Sequence, residues 1–167
     1  MRVLAIDASL RNSGVAVIEG SGSQLRTLYF GTIHNATSLR SSSCLVAIRE
    51  QLRDLIQAHE PDCCALESVI YVQSYKTAIL LGAARGAAIL AAAERGLPIF
   101  EYAPKRIKQA TVGRGTADKN QMAFMVRALL GLTETPTADA ADALAIGLTH
   151  LRAQETAKLG IPGATQI

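Results

Sequence analysis

Apolar residues first gather at positions 3–6, and the run stops at Asp7. A second run covers 14–19, and a turn of Gly20-Ser21-Gly22-Ser23 leads into a third at 25–33. Runs this short, separated by turn residues, predict an antiparallel meander of three strands. The period then changes. Between 38 and 59, Leu45, Ile48, Leu52, Leu55 and Ile56 recur on one helical face. Residues 62–67 form a fourth strand that again ends in an acid, Glu67. An Ala/Gly/Leu-rich helix follows at 74–95, closed by Gly96, and then a fifth strand at 98–102. Helical patterns at 104–111, 118–130 and 137–153 complete the order. A meander followed by strand–helix units predicts an α/β domain with a mixed five-stranded sheet and helices on both sides. One domain spans 1–154, and the Gly- and Pro-bearing remainder, 155–167, reads as a flexible tail.

Composition narrows the class. The chain has 167 residues, 49% of them hydrophobic and 19% charged, which excludes a disordered polymer. The net charge of +3 is uneven. Residues 101–127 carry Lys105, Arg106, Lys108, Arg114, Lys119 and Arg127 against only Glu101 and Asp118. A basic block this local suggests a polyanionic partner. Cys44, Cys63 and Cys64 form no Cys-x-x-Cys pair, so they read as buried reduced thiols in a cytoplasmic protein. The most membrane-like stretch, 77–93, has Arg85 at its centre, so it reads as a buried or interfacial helix and not a span. His34, His59 and His150 show no ligand spacing.

Four acids stand out by position. Asp7 and Glu67 end strands, and Asp139 and Asp142 open the last helix at i, i+3, on one face. Taken singly, each has an ordinary structural explanation: strand termination, or complement to a helix dipole. Together they can converge at one edge of an α/β sheet. Carboxylates without His or Cys partners suit the hard cation Mg²⁺, and two such ions can act on a phosphodiester.

These residues also carry a family pattern. Ile6-Asp7 with Arg11 and Ser13-Gly14, and Pro61-Asp62 through Ala65-Leu66-Glu67-Ser68-Val69 to Ala84-Arg85-Gly86, form two blocks. Glu101-Tyr102 through Lys108, Gly113, Gly115 and Lys119, and Ala138 to Ile146 with Thr149-His150, form two more. From about residue 2 to 150 the chain resembles the RuvC family of Holliday-junction resolvases, which have a ribonuclease H-like fold. The resemblance implies that Asp7, Glu67, Asp139 and Asp142 bind catalytic Mg²⁺, two ions per site, with Mn²⁺ as a substitute. It implies that Lys119 aids catalysis and that Lys108 and Lys119 contact the DNA backbone. Lys105, Arg106, Arg114 and Arg85 are further candidate DNA contacts. It also implies a homodimer that nicks a four-way junction symmetrically, beside branch-migration motor proteins.

Two positions depart from the pattern. Ala8-Ser9 follow Asp7 where many relatives have Pro-Gly, and Ile70 then Tyr71 stand where relatives place a junction-probing aromatic. The sequence leaves three rival readings. One is another ribonuclease H-like nuclease and one a junction-binding module without cleavage. The last, half of an actin-like ATPase, fails on length and on the lack of an adenosine-binding Gly-rich motif.

Overall fold

The computed structural model describes residues 1–21, 24–69, 74–157 and 165–167. Its elements run β1 (Arg2–Asp7), β2 (Asn12–Ser21), β3 (Gln24–His34), α1 (Ser41–His59), β4 (Cys63–Glu67), α2 (Tyr75–Ala93) and β5 (Ile99–Tyr102), then α3 (Pro104–Val112), α4 (Lys119–Leu130), α5 (Ala138–Ala157) and β6 (Thr165–Gln166). The sheet order is β3-β2-β1-β4-β5-β6. The meander β1–β2–β3 is antiparallel, β4 joins β1 in parallel and β5 joins β4 in parallel. The expected five strands are therefore six. Thr165–Gln166 pair antiparallel with β5, and the Ile167 amide donates to the Ile99 carbonyl at 3.0 Å. Two residues carry no alternation to read, so only the open edge of β5 shows why they settle there. Helix α5 also runs to Ala157, past the expected end at 153.

Strand alternation divides the interior in two. Val3, Ala5, Ala16, Ile18, Cys63 and Ala65 point to the face covered by α3, α4 and α5. Leu4, Ile6, Val15, Val17, Cys64 and Leu66 point to the face covered by α1 and α2. Adjacent Cys63 and Cys64 thus enter opposite cores, and burial pushes both thiols up, Cys63 to about 12. All three cysteines are free.

Helix α1 buries Cys44, Ile48, Leu52 and Ile56, one residue per turn, with Leu45 and Leu55 flanking them. Helix α5 is buried on every side through its middle, with Ala140, Ala141 and every residue from 143 to 151 buried. Such a helix belongs in a core. Helix α2 is the one element among the described residues that is long and apolar enough to cross a membrane by length and composition. It instead buries Ala84, Ala88, Ala91 and Ala92 in the α1-side core. Its mid-helix Arg85 forms an ion pair with Glu101 on β5.

Candidate active site

Parallel pairing of β1 with β4 sets Ile6 beside Leu66, so the strands end together at Asp7 and Glu67. Helix α5 opens above the same edge. The Thr137 hydroxyl accepts from the Ala140 amide at 3.4 Å and the Thr137 carbonyl from the Ala141 amide at 2.8 Å, which starts the helix. Asp139 and Asp142 lie in its first two turns. The four acids predicted from sequence are therefore brought into mutual electrostatic range. Burial, reinforced by Asp142, Glu67 and Asp139, pushes the Asp7 carboxyl up to about 7. Burial also raises Glu67, with Asp142 adding to the shift, and Lys108 and Arg85 oppose it. Asp142 is raised by burial, with Lys119 and Lys108 opposing.

This donor set fits a hard divalent cation. All four candidate ligands offer carboxylate oxygens, and Asp7, Glu67 and Asp142 are held above their ordinary range by burial and by neighbouring acids, both of which a cation would relieve. Among the described residues no three of them are drawn together tightly enough to form a finished metal shell. Their mutual repulsion is what a bound cation would offset.

The cations stand where that charge is needed. A cleft of about 380 Å³ is lined by Glu67 and Asp142 together with Lys108, Asp118 and Lys119, and by the apolar Ile107, Met122 and Ile146. Pro104 begins α3 and places Lys108 one turn on, while buried Ile107 and Thr111 fix the helix face. Lys119 is the first residue of α4, held by a capping box. The Asp118 carboxylate accepts from the Gln121 amide at 2.9 Å, and the Gln121 side chain accepts from the Asp118 amide at 3.1 Å. A second cleft of about 260 Å³ lies across Glu67, lined by Asp7, Ala8, Ser68, Leu81 and Arg85.

The other predicted contacts are distributed differently. The Lys105 stem packs over Gly115, where a Cβ would lie 2.8 Å from Lys105 Cγ. Gly113, at φ 83°, closes α3, so the Gly-x-Gly pair shapes a turn. Arg114 is exposed in that turn. The Arg106 guanidinium sits 5.5 Å over the Tyr102 ring and lines a separate cleft with Arg152, away from the acids. Arg85 is not an open-surface cation. It donates to the Glu67 carbonyl at 2.6 Å and pairs with Glu101, bracing the strand end that carries Glu67. Ile70 and Tyr71 lie outside the described residues. Sequence reasoning missed Glu101 and Asp118 as site neighbours. The second had a signal, since Asp118-x-x-Gln121 is a capping pattern next to Lys119.

Residues 3–150 match the family described as crossover junction endodeoxyribonuclease RuvC. The protein of that description from Akkermansia muciniphila is 57% identical over 151 residues, covering 90% of each chain. That from Edwardsiella ictaluri is 43% identical over 93% of this chain and 89% of its own. Among solved structures, T. thermophilus RuvC in complex with Holliday junction substrate superposes with a TM-score of 0.89 at 31% identity, over 100% of this chain and 99% of that one. The yeast mitochondrial Holliday junction resolvase, at 15% identity and a TM-score of 0.65, shares the fold. The mixed sheet with helices on both faces is the ribonuclease H-like arrangement of these neighbours. By sequence along almost its whole length and by fold, the chain belongs to the RuvC family of crossover junction endodeoxyribonucleases.

Proposed function

We propose that the protein resolves four-way DNA junctions by paired, symmetric phosphodiester nicks, acting as a homodimer with a divalent metal. The observation that carries this reading is the convergence of Asp7, Glu67 and Asp142, from three elements, beside Lys108 and Lys119 on the facing helices. Divalent-metal dependence is general to the family; Mg²⁺, two ions per site with Mn²⁺ as substitute, is the proposal for this chain. Asp7, Glu67, Asp139 and Asp142 would hold the ions, whose chemistry is to activate a water and stabilise the oxygens of an in-line displacement.

The protein's own residues supply the rest. Lys108 and Lys119 draw a phosphate toward an otherwise repulsive acidic edge. Lys119, on a capped helix start, is preorganised to stabilise charge that develops on the phosphoryl oxygens. Water's oxygen bonds to phosphorus as one P–O bond of the strand breaks. Lys105 and Arg114 extend the basic track along the backbone. Arg85 braces Glu67. Ile70 and Tyr71 are the proposed probes of the junction centre, and Arg106 is an outlying backbone contact. Branch-migration motor proteins are the proposed working partners, in the cytoplasm.

The test is cleavage of a four-way junction, with linear duplex as control. Wild type nicks the junction in Mg²⁺, and Asp7→Asn binds it without nicking. Equal cleavage of linear duplex, or none of the junction, rejects the reading. Lys119→Ala lowers the nicking rate by roughly 100-fold or more, as expected for loss of a transition-state donor, while Lys105→Ala acts mainly on binding. Equal effects reject the division of roles.

A further inference from the structure

Helix α5 lies along β2, and the contacts between them alternate in bulk. Residues 14, 16, 18 and 20 of β2 face the helix as Gly, Ala, Ile and Gly. Opposite Ile18 the helix has Gly147, where a Cβ would lie 2.9 Å from Ile18 Cδ1. Opposite Gly20 it has Leu151, whose Cδ2 would lie 2.9 Å from a Cβ. At Gly14 the pattern breaks. No helix side chain fills the space; the helix backbone itself does. A Cβ on Gly14 would fall well inside contact distance of the Asp139 carbonyl and 3.3 Å from Asp139 Cα.

Gly14 also belongs to the row that carries an active-site acid. It is the cross-strand partner of Asp7 on β1 and of Thr32 on β3. The Thr32 hydroxyl lies 3.3 Å from that of Thr137, the residue that starts α5. The first turn of α5 therefore rests on the row Asp7–Gly14–Thr32, touching backbone at its centre and hydroxyl at its edge.

We infer that Gly14 is a positioning residue for the acidic site: its missing side chain sets the stand-off of Asp139 and Asp142 from Asp7. The inference rests on the four acids acting as one metal site. Gly14 is not among the glycines with positive φ, so alanine is allowed there by backbone conformation. Its cost is the steric one. A methyl would meet backbone, which cannot rotate aside as a side chain can, so the helix start has to move outward and the carboxylates part.

The test uses Mn²⁺ alone, read by the electron paramagnetic resonance of the free ion, with far-UV circular dichroism to confirm folding. Gly14→Ala binds Mn²⁺ roughly 10- to 100-fold more weakly, the range for lost support of metal ligands, and excess Mn²⁺ restores its junction nicking. Gly20→Ala, on the same interface against a movable leucine methyl, keeps the wild-type midpoint. A folded Gly14→Ala with lowered Tm but an unchanged Mn²⁺ midpoint overturns the inference, because that is what a merely structural glycine would give. If Gly14→Ala does not fold, Thr32→Val takes its place. It removes the hydroxyl contact in the same row, and unweakened Mn²⁺ binding then overturns the inference. Binding is read without cleavage, so a wild type that binds Mn²⁺ yet leaves junctions intact rejects the proposed function and leaves this inference standing.

Discussion

At Asp7 the protein holds a carboxyl where folding alone would not favour one. Its ordinary value of 3.8 is pushed up to about 7, first by burial and then by the other acids. A raised acid stabilises the fold below its unfolded value and loses that contribution as pH rises through the folded one. Without metal, the contribution therefore fades between about pH 4 and 7, and at pH 8 the folded state carries the full repulsion. Asp7→Asn removes that charge. Its Tm in metal-free buffer at pH 8 should exceed that of wild type, at roughly 2–4 °C for each kcal/mol relieved in a domain of this size. Added Mg²⁺ should raise the wild-type Tm and leave the variant's nearly unchanged. A scanning-calorimetry series showing the variant less stable than wild type without metal would contradict this account. That Asp7 and Glu67 stand at strand ends was readable, because each ends an apolar run with a charge. Their neighbours were less so. Glu101 sits inside a short strand, and only the fold brings the ion-pairing Arg85 across from α2 to meet it.

Among elements, α5 is fastened at both ends by different chemistry. Its start rests on Gly14 and Thr32. Toward its end, His150 Nδ1 meets Tyr102 Oη at 2.8 Å and Nε2 meets Cys63 Sγ at 3.2 Å, so one imidazole joins the helix to β4 and β5. The Phe100 ring packs on it at 4.8 Å between centroids. Burial lowers this imidazole from 6.5 to about 4, so the folded protein holds it neutral. The unfolded chain takes up a proton near pH 6.5 and the folded one does not, so this group's contribution is complete above that pH. It falls progressively between about pH 6.5 and 4. His150→Gln should lower stability at pH 7.5 by about 1–3 kcal/mol, the cost of unpaired buried partners. It should also flatten the pH dependence in that window, measured by urea unfolding. An unchanged slope would show that another group governs it. The sequence places His150 about two turns beyond Asp142 but not in a core, because its partners lie 48 and 87 residues away. Arg106 was hidden for a different reason, since Tyr102 lies only four residues before it. A basic run predicts surface, and it is the turn from the end of β5 into α3 that lays the guanidinium over Tyr102.

For the whole molecule, one face of α2 is left open among the described residues. Tyr75, Ile79, Gly82, Gly86 and Leu90 recur along it, Tyr75 92% and Ile79 71% exposed, and nothing lies within 4 Å of a Cβ built on either glycine. This open apolar face is where the proposed homodimer would meet its copy. Ile79→Glu should then sediment as a monomer, keep its Mn²⁺ midpoint, and lose paired nicking of the junction while retaining slow single nicks. A dimeric Ile79→Glu would place the interface elsewhere. The order of elements and both sheet faces were legible because periods of two and of 3.6 residues mark them. The sixth strand was not, being two residues whose partners lie 64 and 66 positions back. The division of the interior has one more outcome. Cys63 sits behind the helix that carries Asp139 and Asp142, and Cys64 sits behind α1 and α2, in the core that Cys44 of α1 also enters. Neighbours in the chain, Cys63 and Cys64 are separated by the full thickness of the sheet. The protein thus carries a resident stopwatch on each side: thiol alkylation of Cys63 times the lifting of the catalytic layer, and alkylation of Cys64 times that of the layer that would face a twin.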